Sequence, residues 1–149
     1  MQSQLIETNS LRLEPCLLVS LQAPEADVER IMAAVTRLAP LAIGRYDRNV
    51  FQSAAGIEYY RPLEGAVAGA EGETRRRPGI VEVSFQLPRD QELLAQVVEA
   101  VFQTHSYQEP LIVVREGLAS RSKGLDDRDN PHRWWNTTGD WKKKSLSNA

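Results

Sequence analysis

The spacing of hydrophobic positions switches along this chain between short runs or strict alternation and a three-to-four-residue repeat, and each switch marks an element. The run Cys16 to Gln22, "CLLVSLQ", is rich in strand formers and closes at Ala23-Pro24, so it predicts a buried strand with Pro24 in the first turn of a helix. Val28, Ile31, Met32, Val35 and Leu38 then recur at helical spacing, with charged residues between them and Pro40 as the stop. In "NVFQSAAGIEYYRP" two β-prone runs flank Ala54-Ala55-Gly56, which predicts a hairpin with a bulged turn, ended by Pro62. Leu63 to Gly79 is rich in glycine and predicts a long loop whose tip carries Arg75, Arg76 and Arg77.

The clearest strand is "IVEVSFQLP", where Val81, Val83, Phe85 and Leu87 alternate with Glu82, Ser84 and Gln86. Asp90 is placed to cap a second helix, and Leu93, Leu94, Val97, Val98, Val101 and Phe102 form its apolar stripe. After the turn "THSYQEP" comes the strand "LIVVRE". The order strand, helix, strand, strand, helix, strand predicts an α+β, ferredoxin-like split βαβ fold: an antiparallel sheet with both helices on one face. The bare face, with Glu82, Ser84 and Gln86, tolerates water and also suits a subunit interface.

At 149 residues, 42% hydrophobic and 26% charged, the chain has the size and composition of one domain with its own core. A net charge of −2 argues against a dedicated nucleic-acid or membrane-surface binder, and no stretch has the length of a membrane span. The charge is uneven: from Gly117 onward seven Lys/Arg face four Asp, so the extension carries +3 and the rest −5. The lone Cys16 excludes an intrachain disulfide and a cysteine-based zinc site. The N-terminus lacks a signal-like pattern, which leaves a cytoplasmic location as the default expectation. These features divide the chain into an N-terminal arm (1–15), a folded domain (16–116) and an aromatic, basic C-terminal extension (117–149). The extension holds all three tryptophans; Trp134 and Trp135 are expected to dock, and residues 142–149 to fray.

"GRYDRNVFQSAAGIEYYRPLEGA", together with "VEVSFQLP", a helix and "THSYQEP", resembles the inserted domain of YqfO-type (NGG1-interacting-factor-like) proteins. The turn is also similar to one in the divalent-cation-tolerance protein CutA, and "DNPHRWWN" weakly echoes a late segment of that protein. The resemblance covers Cys16 to Val114. It implies a CutA-like fold, related to the PII signalling proteins, and assembly as a homotrimer. The segments that carry a two-metal site in YqfO-type proteins have no counterpart here, and Ser106 and Gln108 replace a Pro and a Glu of the usual turn, so the metal-dependent hydrolase activity does not carry over.

Three groups of residues are candidates for chemistry. His105, Tyr107 and Glu109 alternate, so in an extended turn they could face one way and form a ligand pocket; His105 and Glu109 could also contribute to a divalent metal site shared between subunits. The structural alternative is that His105 ends a helix and Tyr107 packs the turn. Tyr46, Tyr60, Arg61 and Glu64 lie on and beside the expected hairpin, where arginine, tyrosine and glycine backbone could hold an anion or small molecule, or shape a subunit contact. The arginine run either contacts phosphate or is a solvated loop tip. No catalytic constellation emerges from the spacing. The resulting expectation is a non-enzymatic, oligomeric binding or regulatory module with a small ligand or metal at a subunit boundary. A metal-dependent hydrolase assembled from several subunits and an interaction domain acting through the Trp-rich tail are the alternatives.

Overall fold

Two strands dominate the fold because their inward faces are almost wholly apolar: β2 (Leu11–Pro24) and β5 (Arg75–Leu87) pair antiparallel, Leu17 opposite Leu87 through Pro24 opposite Ile80. The computed structural model describes residues 6–124 and 130–137. The other elements are β1 (Ile6–Glu7), a 3₁₀ turn (Glu25–Asp27), α1 (Val28–Leu38), β3 (Phe51–Gln52), β4 (Gly56–Tyr60), α2 (Gln91–Thr104), β6 (Ile112–Ser122) and the short α3 (Trp134–Thr137). β6 pairs with β2, so the sheet runs β6, β2, β5 and then β3 with β4, all antiparallel; β1 adds two residues beside β2. Both helices cover one face. Leu17, Val19, Leu21, Val81, Val83 and Phe85 from the sheet meet Ile31, Val35, Val97 and Val101 from the helices in one buried cluster. Each fully buried aliphatic side chain there contributes roughly 1.5–3 kcal/mol. The predicted split βαβ architecture is the one observed.

The helices follow their sequence signals closely. Asp90 Oδ1 accepts the Glu92 and Leu93 N–H groups, both at 3.1 Å, and so caps α2. Leu38 and Phe102, at the C-terminal ends of the two apolar stripes, remain 41% and 46% exposed. No helix among the described residues is long and apolar enough to cross a membrane.

Three strand expectations need correction. The expected hairpin around Ala54-Ala55-Gly56 does not form: β3 and β4 both pair with β5, Phe51 opposite Ser84 and Tyr60 opposite Arg75, so they are two parts of one interrupted edge strand. Ser53 fills part of the interruption, its N–H donating to Glu82 O and its Oγ accepting the Glu82 N–H. On the opposite side the ladder slips by one residue at Gly79, whose φ of +81° is open to glycine. Arg75, Arg76 and Arg77 lie in β5 rather than at a loop tip. The strands expected to start at Cys16 and end at Glu116 in fact start at Leu11 and end at Ser122, where Leu11 pairs with Ser122. The longer strand tolerates Pro15 because it sits between the end of the β1 pairing at Leu13 and the start of the β5 pairing at Leu17, where β2 has a neighbour on one side only.

The extension from Gly117 therefore begins inside β6. Trp134 is 57% exposed and meets Trp135 edge-on, with ring centroids 5.9 Å apart. The expectation for residues 142–149 lies outside the described residues.

Candidate functional site

The turn between α2 and β6 is fixed by one buried carboxylate. Asp27, 6% exposed at the end of the 3₁₀ turn, accepts the Ser106 N–H at 3.0 Å and the Ser106 hydroxyl through Oδ2, and pairs with Arg30 at 2.9 Å through Oδ1. Burial by itself would raise the carboxyl pKa, but the two Ser106 donors and the Arg30 guanidinium outweigh it and hold Asp27 below the usual carboxylate range. Arg30 also donates to Thr104 O at 2.8 Å, occupying a carbonyl at the end of α2.

His105 turns into the protein and is 7% exposed. Its Nε2 donates to Gln22 O at 2.7 Å, and its Nδ1 accepts the Tyr107 N–H at 3.0 Å. The Nε2–H tautomer satisfies both contacts, so both ring nitrogens are committed to backbone. No group of three His, Cys, Asp or Glu side chains among the described residues is arranged to hold a metal ion. Tyr107 lies edge-on to His105 at 4.8 Å and reaches outward to the edge strand, where its hydroxyl donates to Glu58 Oε1.

That contact joins the turn to a cluster at the open end of β4 and β5. Glu58 and Tyr60 alternate on β4, and the register sets them opposite Arg77 and Arg75. Arg77 lies over the Tyr60 ring at 4.9 Å and the Tyr107 ring at 4.8 Å. Its Nη2 donates to Tyr60 Oη at 2.6 Å, and its Nη1 stands 3.7 Å from Glu58 Oε1. Arg75 donates to Tyr60 Oη at 3.4 Å and pairs with Glu71 of the loop that precedes β5. Burial, followed by donation to Glu58, pushes the Tyr107 phenol up to about 12. The hydrogen bond from Arg75 and the two nearby guanidinium charges hold Tyr60 below its ordinary value. Beside the cluster, the interruption between β3 and β4 leaves a depression of about 200 Å³ lined by Gln22, Ser53, Gly56, Glu58, Ile80 and Glu82.

Of the residues singled out from sequence, the structure brings together His105, Tyr107 and Tyr60. Glu109, Arg61 and Glu64 are exposed and take no part in the hydrogen bonds of the cluster. Tyr46 is 69% exposed in a separate turn, where its backbone pairs with Ile43. Of the three alternating residues, His105 and Tyr107 stay in ring contact, while Glu109 is exposed and takes no part in that contact. Glu58 was missed, and Arg75 and Arg77, noticed only as a phosphate contact or a solvated loop tip, were not seen as partners of the tyrosines. Their signal was the alternation of Glu58 with Tyr60 and of Arg75 with Arg77, which becomes meaningful only once the β4–β5 register is known.

No protein-family model matches the chain, and no curated protein matches it in sequence. Solved structures do resemble it. A Bacillus cereus protein related to NIF3 is 24% identical over 72% of this chain, with a TM-score of 0.57. The match spans 28% of the Bacillus cereus chain, so this chain corresponds to little more than a quarter of that protein. CutA1 from Oryza sativa is 16% identical, with 70% of this chain and 82% of that one covered and a TM-score of 0.51. At these identities the likeness is one of fold, and the fold is the one the sequence resemblance implied: a CutA-like split βαβ domain, found as a part of the first protein and as most of the second.

Proposed function

We propose that the chain is a non-enzymatic, oligomeric binding or regulatory module whose ligand site is the cluster formed by Glu58, Tyr60, Arg75, Arg77 and Tyr107. The observation that carries this reading is the grouping itself. Two guanidinium groups, two phenols and a carboxylate meet across the β4–β5 pair and the Tyr107 turn, outside the apolar core. Arginine and tyrosine in this arrangement present planar N–H donors and aromatic faces, a surface suited to a small anionic or planar molecule. Tyr107 links that surface to the Asp27 clasp, so ligand contact and the geometry of the turn are coupled through one side chain.

Assembly through copies of the chain, a trimer by the resemblance to CutA, accompanies this reading. It is supported by the outer edges of β6 and of the β3–β4 strand, which have no neighbour in the described chain, and by Leu18, Phe51 and Leu111, exposed on the face without helices. A subunit boundary along the β3–β4 edge would pass the cluster. The test is light scattering on the full chain and on a chain ending at Gly124, which keeps all of β6, combined with a thermal-shift screen of nucleotides and small carboxylic acids. An oligomer that survives truncation and is stabilised by a ligand, with the shift lost in Arg77→Gln, is the expected result. A monomer with no stabilising ligand would overturn the proposal.

A further inference from the structure

Glu71 occupies a different kind of position from the other members of the cluster. It belongs to the loop of residues 61–74 between β4 and β5, is exposed, and reaches back to Arg75 Nη2. The loop around it is held by few bonds: Ala66 N–H to Leu63 O and Gly69 N–H to Ala66 O, both 3.0 Å, and Glu71 N–H to Pro62 O at 3.2 Å. One further bond, Val67 N–H to Gln108 Oε1 at 2.9 Å, ties its apex to the turn that carries Tyr107. Leu63 and Val67 on the same loop are 62% and 85% exposed. Arg75 and Arg77 both donate to Tyr60 Oη, which leaves the phenol proton directed away from them and free to donate. The carboxylate of Glu71 thus sits on a guanidinium beside an outward hydroxyl, the position an external oxyanion would take.

We infer that Glu71 is a resident stand-in for an anionic ligand, and that a carboxylate or phosphate oxyanion displaces it from Arg75 and thereby releases the 61–74 loop. The inference rests on reading the cluster as a ligand site and adds its ligand class and its regulation. The chemistry permits exchange. Arg75 and Glu71 are both partly exposed, so their pairing is weak enough for an incoming bidentate oxyanion to replace it. With Glu71 in place the two arginines face two carboxylates, Glu58 and Glu71; with Glu71 displaced, one positive charge is uncovered for the ligand. The bond to Gln108 then lets the loop and the Tyr107 turn sense one another.

The experiment uses the full chain, titrated calorimetrically with inorganic phosphate and, separately, with acetate in a chloride buffer, alongside Glu71→Gln and Arg75→Gln. Hydrogen exchange is followed at the Gly69 and Glu71 amides. Glu71→Gln is expected to bind the preferred anion about two- to five-fold tighter, the range set by partly exposed ion pairs, and Arg75→Gln to bind it more weakly. In the wild type, saturation should speed exchange at the two amides; in Glu71→Gln they should exchange fast without any anion. The two titrants decide between a phosphate and a carboxylate source. Equal affinities in wild type and Glu71→Gln, or loop exchange indifferent to the anion, would overturn the inference while leaving the ligand site standing. No binding of either anion by wild type or Glu71→Gln would also overturn it, and the ligand site would then be judged by the nucleotide and carboxylic-acid screen alone.

Discussion

Asp27→Asn removes one charge and keeps the shape of the side chain that clasps the Tyr107 turn. In the wild type, Oδ2 accepts two donors from Ser106 and Oδ1 faces Arg30. The asparagine oxygen can keep the Ser106 donors, but as neutral bonds worth about 1 kcal/mol each rather than the roughly 1.5–3 kcal/mol of bonds to an ionised group. Its amide then opposes Arg30. That guanidinium is half exposed, so losing its pairing adds at most about 1 kcal/mol. Because Ser106 is itself exposed and can be rehydrated, the net cost is about 1–2 kcal/mol, which for a chain of this length lowers Tm by roughly 3–6 °C. The pH dependence gives the sharper test. The depressed carboxyl favours the folded state only while it is ionised, so its contribution is complete above the unfolded value near 3.8 and fades as pH falls through the lower folded value. Urea denaturation of wild type and variant at neutral pH and near pH 3 should show the gap narrowing in acid. Equal stability at neutral pH, or a gap undiminished in acid, would refute the argument that an ionised clasp holds the turn.

Three further predictions follow from the same geometry. The alkaline absorbance titration of the tyrosines should contain a late phase near pH 12 that disappears in Tyr107→Phe; because the folded phenol stays protonated beyond its ordinary value of 10, stability should decline as pH rises from 10 towards 12. Gly79→Ala should cost about 1–2 kcal/mol in chemical denaturation despite the open space around a Cβ there, because the backbone lies at φ +81°. Leu21→Ala, at 1% exposure between the sheet and the helices, should cost about 2–5 kcal/mol without changing the far-ultraviolet spectrum of the folded protein.

The elements that were legible in the sequence are those whose signal is local. The alternation from Val81 to Leu87, the stripe from Leu93 to Val101 and the Asp90 cap each state their own structure within a few residues, and their order determines the split βαβ fold. Pairing is not local. "NVFQS" and "IEYYR" read as two arms of a hairpin because nothing near Ala54 says that both arms lie against β5, and the same missing register concealed that Glu58 faces Arg77. Proline is disfavoured inside a paired strand, yet Pro15 and Pro78 each sit where the strand has a partner on one side only. His105 was noticed for its chemistry, whereas its two nitrogens serve Gln22 O, 83 residues away in sequence, and the Tyr107 amide.

The central position of β2 bears on how the chain is made. This strand is complete by residue 24, its β5 neighbour spans residues 75–87, and its other neighbour, β6, ends at residue 122. On a ribosome, β2 therefore emerges early with both edges open and acquires its second neighbour only when nearly all of the fold has been synthesised. Contacts this distant in sequence slow folding, and an apolar strand left unpaired meanwhile invites association with other nascent chains. The segment that closes the sheet, Ile112–Ser122, is thus the step on which release of a correctly folded molecule depends. A translational pause placed before it would prolong the vulnerable state.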